Sequence, residues 1–173
     1  MPLPEPWLRG IVEGLDPVIG HLLRASEQIR EDLESALRPL TVTQLWAMPE
    51  EMTSAGFHAK HLAGSTERLC TYLEGRPLSQ EQLAAIPRER AGAEPPAELI
   101  ADVHAAFSRY ESIVRGLRPE AFGEIREVGR QRLPTTAISL AIHIAEHGQR
   151  HVGQAISASK LARAVIAPGS SDR

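Results

Sequence analysis

The chain has 173 residues, 42% of them hydrophobic, enough for one domain with its own core and too few for two without strain. Its 19 Lys and Arg against 22 Asp and Glu give a formal net charge of −3, and the basic residues are dispersed, so a nucleic-acid surface is not expected. The single cysteine, Cys70, excludes an internal disulfide. Met1-Pro2-Leu3-Pro4-Glu5-Pro6 lacks the basic start and apolar run of a signal peptide, and no apolar stretch is long enough for a membrane span; a cytoplasmic protein is expected.

Four segments carry helical periodicity. The first opens at Asp16-Pro17, an N-cap followed by the residue best tolerated at the first helical position, and ends by Pro39. Its predicted stripe is Val18, Leu22, Ala25, Ile29, Leu33, Ala36 and Leu40, alternating steps of four and three. Thr41 with Gln44 reads as a capping box for a short turn through Trp46. The second helix starts near Thr53 or Ser54 and runs to Glu74, with Gly75 as a cap and Pro77 blocking continuation. Its stripe is His58, His61, Leu62, Ser65, Leu69, Tyr72 and Leu73. Residues 76–94 form a connection with one short helix, Ser79 to Ala85. The third helix begins around Pro95-Pro96 with Leu99, Val103, Phe107, Tyr110, Val114 and Leu117 on one face. Residues 124–133 have no helical stripe and contain Gly129, which predicts an extended or hairpin-like excursion; the last helix starts near Pro134-Thr135 and reaches about Arg163. The expected architecture is all-α: a four-helix bundle with short extra helices and a small hairpin before the last helix. It forms one domain over 1–173, its core spanning about 16–165, with a Gly/Ser-rich tail over 168–173 expected to be mobile.

The placement of the 7 histidines is the informative feature. His143, His147 and His151 follow at steps of four, and each step turns only about 40° around a helix, so two of these rings can converge on one point while three drift apart. One of the three should then be peripheral. His58 and His61 lie on the inward stripe of the second helix, and a core-facing imidazole needs its nitrogens satisfied. A metal ion shared between the two helices would satisfy several rings at once; rings that hydrogen-bond one another are the plain alternative. The zincin signature is absent, because Gly148 follows His147 and Ile144 follows His143 where that signature needs Glu. No helical Glu-x-x-His pair exists for a di-iron site. A mononuclear three-histidine site remains.

Three segments resemble the DinB-like family of small metal-dependent proteins. They are Phe57-His58-Ala59-Lys60-His61-Leu62-Ala63-Gly64-Ser65-Thr66, Arg126-Glu127-Val128-Gly129-Arg130 with Leu133-Pro134-Thr135-Thr136, and Ile144-Ala145-Glu146-His147-Gly148-Gln149-Arg150-His151-Val152-Gly153-Gln154. The resemblance runs from about Val18 to Arg163 and implies a four-helix bundle, often homodimeric. It also implies one divalent ion, zinc or nickel, held by His61, His147 and His151, with the roles of His58 and His143 left open. Characterised relatives include transferases and isomerases that use low-molecular-weight thiols. The function expected is therefore a metal-dependent enzyme acting on a small molecule, of thiol-dependent transferase or hydrolase type; the alternative is a non-catalytic metal-binding or stress-response bundle.

Three neutral histidines leave an open coordination position, the pattern of a catalytic site, where water or a thiol can be activated. Catalytic residues beyond the ligands are not identified. Glu146 is turned about 100° from His147, and no carboxylate falls unambiguously on the inward helix faces, which favours thiolate chemistry over hydrolysis. Ser65 and Gln154 are candidate pocket residues beside His58 and His143. Gly64, Gly148 and Gly153 each cost a helix about 1 kcal/mol relative to Ala, so close approach of a neighbouring helix or a substrate is expected there. Cys70 reads as a buried apolar group.

Overall fold

The computed structural model describes residues 3–167, so the tail expected to be mobile lies outside the described residues. Asp16 caps helix α1 (Pro17–Leu37), its carboxylate accepting from Val18 N at 2.8 Å, with Pro17 at the first position. Thr41 and Gln44 form the reciprocal capping box of the short α2 (Val42–Trp46). Ser54 caps α3 (Ala55–Leu73), and Ser79 with Gln82 forms a second capping box on α4 (Gln80–Ala85). A 3₁₀ turn, Ile86–Arg90, follows directly, then α5 (Pro96–Gly116).

The excursion after α5 is an antiparallel hairpin, β1 (Ile125–Val128) and β2 (Leu133–Thr136), with Ile125 opposite Thr136 and Val128 opposite Leu133. Gly129 (φ 75°) and Arg132 (φ 51°) make its left-handed turn positions. The last helix, α6 (Ala137–Val165), therefore begins later than Pro134-Thr135. Pro134 pairs with Glu127 across the hairpin, and Thr136 supplies the cap by accepting from Ser139 N at 3.2 Å. Arg126 Nε donates to the Leu73 carbonyl at 2.6 Å, tying the hairpin to the end of α3.

The long helices close into a ring in which α1 packs on α5 and α6, and α3 packs on the same two. Consecutive long helices α1 and α3 thus face each other across a diagonal, as do α5 and α6. The core runs through the middle of the ring, with Ile29, Leu33, Leu62, Val103, Phe107, Tyr110 and Ile144 among its fully buried members. On α1 the buried face is rotated from the predicted stripe: Val18 is exposed and Ala36 only half-buried, while Ile19, Leu23, Ser26 and Leu37 are buried. Contact with two neighbouring helices buries a wider arc than a single row of fours and threes describes. No described helix is long and apolar enough to cross a membrane.

Candidate metal centre

Contacts with Trp46 and Glu94 set the start of α3. Gly56 leaves room for the Trp46 indole, which would lie 2.8 Å from a Cβ there. The indole in turn donates to the Glu94 carbonyl at 3.0 Å. Lys60 pairs with Glu94 at 2.5 Å and lies over the same indole. With the first turns of α3 held in this way, His58 and His61 face the middle of α6.

On that face the rings of His61, His147 and His151 gather. One nitrogen from each lies within 4.8 Å of the others, and all three residues are half-buried. Ring centroids are 4.5 Å apart for His147 and His151, 4.7 Å for His61 and His151, and 5.4 Å for His61 and His147. Around a tetrahedral zinc, with bonds of about 2.0–2.1 Å, nitrogens stand about 3.3 Å apart, so a modest contraction of this triangle suits an ion. His147 Nδ1 is buried with no hydrogen-bond partner among the described residues, an orphaned atom that a shared cation would satisfy. The donor set and the unmet polar atom both fit a divalent metal of the imidazole-preferring kind.

The surroundings keep His147 and His151 neutral. Burial, aided by His147, His61, His58 and Arg150, lowers the pKa of His151 to about 3. Burial together with His61, His143, Arg150 and Arg68 lowers that of His147 to about 4. His58 is lowered too, by burial and then by His61. Neutral imidazole is the form that ligates metal.

The other expected site residues fall into distinct places. His58 is buried, and its Nδ1 lies 3.1 Å from His151 Nδ1, so one of the two carries the hydrogen and donates to the other. It also lines a cavity of about 610 Å³, together with Met52, Arg150, Gly153, Gln154 and Ser157. Gln154 is exposed at that cavity. His143 is exposed, its ring centroid 5.8 Å from that of His147 at the outer margin, which is the drift expected of a third histidine in the series. Ser65 is buried and turned inward on its own helix, donating to the Leu62 carbonyl at 3.2 Å. Phe57 stacks on His61 with centroids 5.5 Å apart and ring planes 14° from parallel.

The glycines divide. A Cβ on Gly148 would stand 2.5 Å from Ile29 Cδ1 and 3.2 Å from Phe107 Cζ, so close helix approach explains it. Gly64 leaves space for the Glu89 carboxylate and the Arg68 guanidinium. Gly153 meets no atom within 4 Å and borders the cavity, so no neighbouring helix accounts for it.

Glu89 is the residue that sequence reasoning missed. It is buried, it comes from the 3₁₀ turn Ile86–Arg90 rather than from a helix face, and its Oε2 accepts from His61 Nδ1 at 2.7 Å. Its Oε1 accepts from Arg68 Nη1 at 2.5 Å. Burial alone would raise its pKa, but these two donated bonds hold it below the usual carboxylate range. A carboxylate in a connecting turn lies on no helical stripe, so periodicity does not mark it. The signal available was indirect: a helical Gly64 and an inward Arg68 that both needed a partner.

A family profile described as the DinB superfamily matches residues 25–155. No curated protein matches the chain. Among solved structures, a conserved protein of Enterococcus faecalis is similar over 82% of this chain and 95% of its own, with a TM-score of 0.69 and 17% identity. YfiT from Bacillus subtilis is similar over 88% of this chain and 92% of its own, with a TM-score of 0.62 and 17% identity. It is described as "a probable metal-dependent hydrolase with an unusual four-helix bundle topology". Both likenesses are of fold.

Proposed function

The chain belongs to the DinB superfamily, and from that premise we propose that it is a metal-dependent hydrolase of a small molecule, with His61, His147 and His151 holding one divalent ion, zinc or nickel. The observation that carries this reading is the convergence of three imidazole nitrogens from two helices within 4.8 Å. The likeness to YfiT, described as "a probable metal-dependent hydrolase", supports the reaction type.

A divalent ion held there would supply Lewis acidity toward a substrate oxygen, and toward a water or thiol losing its proton near neutral pH. The chain's own residues do the rest. The three histidines, one from α3 and two from α6, would hold the ion through one nitrogen each and leave a coordination position for substrate. Phe57 covers one side of His61. His58 holds His151 through the Nδ1 pair and carries its ring to the wall of the cavity, where Gln154 and Arg150 offer an amide and a guanidinium to a polar substrate.

A second reading, transfer to or from a low-molecular-weight thiol, is favoured by one detail. Glu89 accepts from His61 and Arg68, which hold its pKa below the usual carboxylate range and leave it a poor base toward water. A panel of ester, amide and phosphoester substrates, assayed with and without added thiol and before and after chelation, separates the two. Turnover that needs metal but no thiol supports hydrolysis. Turnover that appears only with thiol moves the assignment to a transferase, and metal-independent turnover removes both.

A further inference from the structure

We infer that Glu89 is a positioning residue for His61, fixing which nitrogen of that ring is free to ligate. The inference rests on the three-histidine reading above and goes beyond it to a residue outside both metal-bearing helices. A carboxylate only accepts, so the 2.7 Å contact means that His61 Nδ1 carries the hydrogen and Nε2 keeps its lone pair. The ring's plane is held independently by Phe57, stacked at 14°. Tautomer and orientation of the candidate ligand are therefore both set from outside it.

The surroundings of Glu89 are built for this arrangement. Arg68 could take both carboxylate oxygens in the usual paired geometry, yet it takes only Oε1 and leaves Oε2 to His61. Glu89 is 5% exposed, and its carboxylate reaches the ring only because Gly64, one turn along α3 from His61, has no side chain where Glu89 and Arg68 lie. A contact that served only to pin the connection onto the bundle would be complete with Arg68 alone. The second oxygen is placed where it determines the state of a ligand.

The test titrates the untagged whole chain with Zn²⁺ alone against a chelating dye, for the parent, Glu89→Gln, His61→Ala and the double variant. Glu89→Gln is expected to weaken Zn²⁺ binding about 10- to 100-fold, and to add nothing further in the His61→Ala background. If His61→Ala weakens binding and Glu89→Gln does not, this inference is overturned while the three-histidine reading stands. If His61→Ala binds as the parent does, the three-histidine reading fails and takes the inference with it. A second measurement needs no variant: ¹⁵N NMR of the metal-free parent reads the His61 tautomer directly. A hydrogen on Nδ1 is expected, and a hydrogen on Nε2 overturns the assignment.

Discussion

His58 Nδ1 and His151 Nδ1 lie 3.1 Å apart, linking the first turn of α3 to the middle of α6. Only His151 belongs to the converging trio, so the two residues should respond differently to removal. His151→Ala is expected to abolish stoichiometric metal binding. His58→Ala should leave the ion bound but weaken affinity about 10-fold or more, because it removes the partner that orients a ligand. Isothermal titration with Zn²⁺ distinguishes them; equal losses would mean that His58 ligates directly.

Two glycines of α6 make opposite predictions. Gly148→Ala drives a methyl group toward Ile29 and Phe107 in the core, and such overpacking costs about 1–3 kcal/mol, outweighing a helix-propensity gain of about 1 kcal/mol. Gly153→Ala meets no atom within 4 Å and should stabilise by up to about 1 kcal/mol. Urea unfolding of the metal-free variants reads both. A Gly148→Ala variant more stable than Gly153→Ala would contradict the packing described for this helix.

Cys70 is fully buried, and burial pushes its thiol up to about 12, with Arg109 opposing and Glu67 and Glu74 reinforcing the rise. The thiolate is the reactive form, so alkylation by iodoacetamide at pH 8 should be negligible in the native protein and complete after unfolding. Rapid labelling of the folded protein would show that α3 opens near Cys70.

Much of the bundle was legible from local chemistry. Asp16-Pro17, the Thr41–Gln44 box and Ser54 each set a helix start through contacts within three residues, which a linear reading captures. Where a start depended on pairing with a distant segment, as β2 with β1 before α6, the boundary shifted to Thr136. The candidate site divides along the same line. Steps of four on α6 and of three on α3 put the histidines on facing sides, so their meeting was readable from helical geometry. Glu89 was not, because its place depends on how a connecting turn folds back onto Gly64 and Arg68, and neither helical nor alternating periodicity marks such a residue.

An ion held by residues from both α3 and α6 binds the folded chain and not the unfolded one. At a metal concentration of about 100 times Kd this linkage adds about 2.7 kcal/mol, which for a domain of this size raises Tm by about 5–10 °C. Chelation should remove that increment in the parent and have no effect on His147→Ala. Equal melting of the parent with and without chelator would argue against tight binding.

The most direct test is elemental analysis of untagged protein purified without added metal, for the parent and for His61→Ala, His147→Ala and His151→Ala. Near-stoichiometric zinc or nickel is expected in the parent, lost in each of the three variants. Metal content unchanged by these substitutions, or a parent that takes up no divalent metal even when it is supplied, would contradict a shared cation between the two helices.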